Sequence, residues 1–194
     1  MDRSTLLRSK DKTMKFKDQS YSDLVAKLEA KYVESNKDVE TSNLLSFVGD
    51  YDPDKKQAAN DLSNKLKQSV KSVDISHIIT ERLKETYANI DELFNKAKPH
   101  SEILYIDRGE YFCGMFTGHT LSKVRYATPQ ERYFLKKLDS YDGLVIISIN
   151  DFDYMDELLM RVSDAVVEFP LPNSFFKRLA WKTRTYSFHG YKAY

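Results

Sequence analysis

One cysteine, Cys113, is all that 194 residues contain. A single thiol closes no intramolecular disulfide, which sets aside the disulfide-built secreted scaffolds and leaves a structural thiol in a reducing compartment as the expectation. Histidine is scarce as well. His77, His100, His119 and His189 are scattered, no pair has helical ligand spacing, and no metal site is expected. Gly118-His119-Thr120 has no acidic motif nearby that would make it a nucleophile pair. Neither sign of charge prevails: Lys plus Arg total 30 against 29 Asp plus Glu, and a net charge of +1 exerts no global pull on nucleic acid or an anionic membrane. No apolar run approaches the roughly 20 residues of a membrane span. The basic N-terminus, MDRSTLLRSKDKTMKFKDQ, lacks the apolar core of a secretory signal. A cytoplasmic protein that touches no membrane is therefore expected, nuclear if its source is eukaryotic.

What is present is a strong alternation of short apolar runs and amphipathic stretches. Domains of roughly 100–200 residues are the norm, so the length suits one core. Residues 1–19 interleave Arg and Lys without an apolar period and read as a flexible basic tail, leaving 20–194 as a single domain. Leu24, Val25, Leu28 and Tyr32 recur at helical spacing. Leu44–Val48 is a compact apolar run that stops at Gly49, as a buried strand does on entering a loop. After Pro53, the residues Ala58, Leu62, Leu66 and Val70 fall four apart and predict a helix against a sheet. A second cycle puts a strand at Ile75–Thr80 (ISHIIT) and a helix on Leu83, Tyr87, Ile90, Phe94 and Ala97.

Three further strands are predicted at Glu102–Asp107 (EILYID), Gly143–Ile149 (GLVIISI) and Ala165–Phe169 (AVVEF). Between the first two of these, Thr128-Pro129-Gln130-Glu131 combines an N-cap, a proline at the first helical position and a capping-box glutamate. Between the last two, Asp151 or Asp153 is the expected cap of a helix through Leu158, Leu159 and Val162. Past Pro170 and Pro172, the segments 175–184 and 185–194 read as a hairpin. The fold class is thus α/β: a mainly parallel sheet with helices on both faces and a C-terminal antiparallel hairpin.

The segment that bears on chemistry is Gly49-Asp50-Tyr51-Asp52-Pro53-Asp54-Lys55-Lys56, between the first strand and its helix. A phosphate loop there has the form GxxxxGK[ST], in which glycines let backbone N–H groups wrap the phosphates, lysine neutralises charge and the hydroxyl holds magnesium. Gly49 and Lys55 keep that spacing. Asp54 stands for the second glycine, Lys56 for the hydroxyl residue, and Asp50 and Asp52 add negative charge where the anion would sit. Taken alone, the segment also reads as an acidic surface turn.

The strands downstream give it context. Thr80-Glu81, Ile103–Asp107, Glu131–Leu138, Leu144–Asn150, Ser163–Glu168 and Arg178-Leu179-Ala180-Trp181-Lys182-Thr183-Arg184 fall where the RecA-like P-loop ATPases, and their KaiC-like branch above all, carry their motifs. From about Asn43 onward the chain resembles that family. The resemblance implies a RecA-like sheet, a catalytic glutamate at Glu81, a magnesium-facing aspartate at Asp107 and degenerate nucleotide-binding positions at Gly49, Lys55 and Lys56. It also implies a terminal hairpin whose Lys182-x-Arg184, with Arg178 and Trp181, faces a neighbouring subunit or nucleic acid. Ordinary readings stand beside these: Glu81 as a solvated helix start, Asp107 as a loop cap, Lys182 and Arg184 as the wet face of a hairpin.

Together these residues predict a pseudo-ATPase, a binding or regulatory subunit of an oligomer or multi-protein assembly. No cofactor is expected, weak ATP and magnesium binding staying open. Two other functions stay open with it: a nucleic-acid-binding accessory factor of the RecA-paralogue type, and a divergent but active NTPase.

Overall fold

Two runs, Leu44–Val48 (β1) and Val145–Ile149 (β6), are apolar at nearly every position, which suits strands covered on both faces; every residue of both is buried. They lie side by side and parallel at the centre of a sheet whose order is β2-β3-β6-β1-β7-β8. The other strands are β2 (Ser69–Asp74), β3 (Glu102–Asp107), β7 (Ala165–Glu168) and β8 (Lys192–Ala193), and a separate two-stranded ribbon joins β4 (Met115–Phe116) to β5 (Arg125–Tyr126). β1, β2, β3, β6 and β7 are all parallel, and β8 runs antiparallel along β7. This is a computed structural model, and it describes residues 21–34, 43–50, 52–113, 115–116, 125–169, 176 and 192–193. Apart from Phe176 and β8, the predicted terminal hairpin lies outside the described residues, as does the tail 1–19.

The period-two alternation of the strands divides the core in two. Leu45, Phe47, Tyr105, Ile146 and Val167 face a layer formed by α1 (Tyr21–Tyr32) and α2 (Asp52–Leu66). Leu44, Val48, Leu104, Ile106, Val145, Ile147 and Ile149 face α3 (Leu83–Lys96), α4 (Pro129–Leu138) and α5 (Glu157–Val162). Helices therefore cover both faces, as the alternation of segments predicts. No described helix is long and apolar enough to cross a membrane.

The α4 start forms as its sequence requires. The Glu131 amide donates to Thr128 Oγ1 at 3.1 Å, and the Thr128 amide donates back to Glu131 Oε2 at 3.3 Å. Thr128 Oγ1 also donates to the Phe112 carbonyl at 2.8 Å, tying the helix to the segment before it. Thr128→Ala is expected to cost about 1–2 kcal/mol, a fall in melting temperature of roughly 3–6 °C by calorimetry.

Two elements differ from the sequence reading. The second strand is Ser69–Asp74, not Ile75–Thr80, and Val70 belongs to it rather than to the preceding helix. As an edge strand it is only partly buried, so Ser and Lys dilute its apolar signal. The stronger run that follows is a 3₁₀ turn, Ile75–His77, capped by Asp74, whose Oδ1 accepts from the Ser76 amide at 3.0 Å. The helix before β2 ends without a glycine: Lys67 takes the left-handed conformation (φ 55°) that glycine usually supplies. The second correction concerns α5. Asp151 caps only the 3₁₀ turn Phe152–Tyr154, and Asp156 caps the helix by accepting from the Leu159 amide at 2.8 Å.

Candidate functional site

The chain leaves β1 toward α2 on one face of the sheet, whereas it leaves β6 toward α5 on the other. Neighbouring strands whose exits diverge in this way open a crevice at their C-terminal ends, the place where open α/β sheets take ligands. Gly49 reaches this crevice from the β1–α2 connection, Lys55 and Lys56 from the start of α2, Asp107 from the end of β3 and Asn150 from just past β6.

Only Gly49, Asp50 and Tyr51 separate β1 from α2, because helix begins at Asp52. Asp52, Pro53 and Asp54 are helical where a phosphate loop has open backbone, and Pro53 has no N–H to offer an anion. Gly49 has its own structural duty. Its φ is 144°, a Cβ there would lie 2.2 Å from the Phe169 carbonyl oxygen, and its amide donates to the Ile149 carbonyl at 2.9 Å.

Lys55 is fully buried in the first turn of α2. Its ammonium lies 2.8 Å from Asp52 Oδ1 and donates to the Ile149 carbonyl and to Asn150 Oδ1, both at 3.3 Å. Three acceptors from the protein itself surround the charge a phosphate would need. An incoming anion would also meet the Asp52 and Asp54 carboxylates at the helix start. Each opposes it by about 3 kcal/mol at ~5 Å and an effective dielectric constant of ~20. Lys56, one residue on, pairs with Asp107 at 3.3 Å. An ammonium thus stands beside the carboxylate that would face magnesium.

The sequence reading missed part of the cluster. Arg108 is left-handed (φ 58°, ψ 42°) and folds the chain into a 3₁₀ turn, Gly109–Tyr111, which carries Glu110 back toward β6. There Asn150 Nδ2 donates to Glu110 Oε1 at 2.9 Å. Burial pushes the Glu110 carboxyl up from its ordinary value, opposed by a backbone hydrogen bond and by Lys55. Arg108 itself grips both carboxylate oxygens of Asp74, with Nε 3.0 Å from Oδ1, and this hydrogen bonding holds Asp74 well below the usual carboxylate range. A glutamate three residues past a strand end carries no local signal for such a return. Only the left-handed turn at a non-glycine residue produces it.

Glu81 is a correction. β2 ends at Asp74, so Thr80-Glu81 does not end the second strand, and Glu81 is an exposed residue in the turn before α3. Arg178, Trp181, Lys182 and Arg184 lie outside the described residues.

No family model matches the chain and no curated protein matches it in sequence. In structure it is similar to the AAA domain of FIGL-1, solved in complex with ADP, with a TM-score of 0.56 and 14% identity over 89% of this chain and 54% of that one. This chain has a P-loop-like α/β fold. It spans about half the length of that solved chain. At such low identity the likeness concerns the fold, and a P-loop-like scaffold leaves the chemistry to be argued from the crevice.

Proposed function

We propose that this chain is a catalytically degenerate P-loop ATPase of the RecA/KaiC-like kind, serving as a binding or regulatory subunit of an oligomer or a larger protein assembly. One observation carries the reading: the two lysines of the damaged loop are already paired inside the protein, Lys55 with Asp52 and Lys56 with Asp107. The charges that would meet phosphate and magnesium hold the crevice together instead, and the P-loop-like fold serves as a scaffold. The subunit role is supported by the sequence pattern of Lys182 and Arg184. A phosphate-release assay with ATP and magnesium tests the catalytic half, and sedimentation velocity tests the other. The expected results are release no faster than in buffer and a species larger than one chain; release abolished by Lys55→Ala overturns the first, and a monomer at every concentration, alone and in lysate fractions, the second.

A second reading, a divergent active NTPase, is favoured by one observation: Asn150 orients Glu110 in the crevice, as a water-activating carboxylate would need. The same assay decides it, because phosphate release lost on Glu110→Gln is its signature.

A further inference from the structure

β2 stands at one end of the sheet, where it pairs with β3 and no described strand lies along its other side. Its six residues run in unbroken register with Glu102–Asp107. Ser69 and Ser72 are exposed, and the other four are only half-buried. The Ser69 amide donates to the Ser101 carbonyl at 2.9 Å, so Ser69, Lys71 and Val73 turn their backbone groups toward β3. Those of Val70, Ser72 and Asp74 therefore point off the edge. Natural sheets guard such an edge with a proline, a bulge or a charge held out in solvent. β2 has no proline and no bulge, and both of its charges are withdrawn into the chain. Lys71 Nζ donates to the Lys96 carbonyl at 3.0 Å and lies 3.8 Å from Glu102, while Arg108 grips Asp74.

We propose that β2 pairs antiparallel with β2 of a second copy of this chain, about a two-fold axis at Ser72, so that the two sheets become one. The outward groups fix the register. With the axis at Ser72, that residue opposes its own copy and Val70 opposes Asp74 of the second copy, so every outward N–H and C=O of the strand gains a partner. Lys71 then opposes Val73, and no like charges face each other. An axis at Lys71 or Asp74 would set two lysines or two aspartates directly opposite, and one at Ser69, Val70 or Val73 would leave outward groups unpaired. The antiparallel arrangement also carries Lys67, exposed just before the strand, toward the Asp74 end of the second copy, where parallel edges would bring the two lysines together. This pairing names a partner for the assembly proposed above and rests on that reading, yet the two fail on different results.

Sedimentation velocity of the full chain over a range of concentrations, wild type against Ser72→Pro, tests it. Proline is tolerated on an edge strand where its missing N–H would face solvent, so the variant is expected to keep its far-UV circular dichroism. The wild type is expected to reach twice the mass of one chain, and Ser72→Pro to associate at least about tenfold more weakly. A wild type that stays at the mass of one chain overturns the edge pairing, and the subunit reading then survives only if the chain assembles with a different protein. A Ser72→Pro that associates as well as the wild type also overturns the pairing, while leaving the chain an oligomer through another surface. Should Ser72→Pro fail to fold, Ser72→Lys decides, because it sets two like charges at the axis: loss of the dimer supports the pairing, and wild-type association refutes it.

Discussion

Gly49→Ala is expected to cost about 3–5 kcal/mol of stability, measured by urea unfolding, although the residue lies at the end of a strand and carries no side chain. Two costs add. At φ 144° the backbone occupies a region that residues with a Cβ enter at about 1–3 kcal/mol. The new carbon would also meet the Phe169 carbonyl oxygen at 2.2 Å, and overpacking of this kind typically costs about 1–3 kcal/mol. Neither can relax cheaply, because the Phe169 amide is tied to the Val48 carbonyl at 2.7 Å and its ring packs on Phe47 at 5.0 Å. A glycine kept only to approach a phosphate would give the opposite result, with nucleotide binding changed and stability nearly intact.

Lys55→Ala is the second large effect, expected at about 2–4 kcal/mol. Breaking a buried ion pair leaves its partner's charge and acceptors uncompensated, a loss of about 3–5 kcal/mol when both are buried. Here the estimate is lower, because Asp52 is 47% exposed and regains water. The Ile149 carbonyl and Asn150 Oδ1 lose a donor at the same time. Lys55→Met, which keeps the stem volume, is expected to recover part of the loss. Lys56→Ala should change stability by less than about 1 kcal/mol, since its side chain is 53% exposed and its pair with Asp107 is screened. The contrast between adjacent lysines is read from thermal unfolding of the three variants at one salt concentration.

How much of this was legible in the sequence depended on how deeply each element is buried. β1 and β6 announced themselves because both faces are covered, so apolar residues fill every position but one serine in each. α4 was marked by Thr128, Pro129 and Glu131, which satisfy its first amides locally. β2 was hidden for the converse reason: an edge strand needs little apolar surface, and the richer run Ile75–Ile79 packs on the core from a turn, where period-two counting does not apply. Asp151, Asp153 and Asp156 are all plausible caps by composition, and backbone geometry alone selects the last for α5.

The site was legible to the same degree. Gly49 and Lys55 were named from the spacing of a phosphate loop, Lys56 as the residue in place of its hydroxyl and Asp107 from the family resemblance, and the fold brings them to one crevice. Glu81 was misplaced because it was counted from the wrong strand end. Glu110 escaped notice because its position depends on Arg108 adopting a left-handed turn, held by Asp74 from the neighbouring strand. Contacts between residues 34 apart leave no trace in a local pattern. Pro53 did mark the first turn of α2, which starts at Asp52, within the span of the phosphate-loop pattern.

The proposed function turns on the crevice being held by its own charges, which leaves at most weak binding of nucleotide. Titration of the full chain with ATP and magnesium by isothermal calorimetry tests it most directly. The account predicts no saturable heat up to about 1 mM nucleotide, the level at which binding is worth only about 4 kcal/mol. One-to-one binding with a dissociation constant well below 1 mM, about 10 μM for instance at roughly 7 kcal/mol, would contradict it.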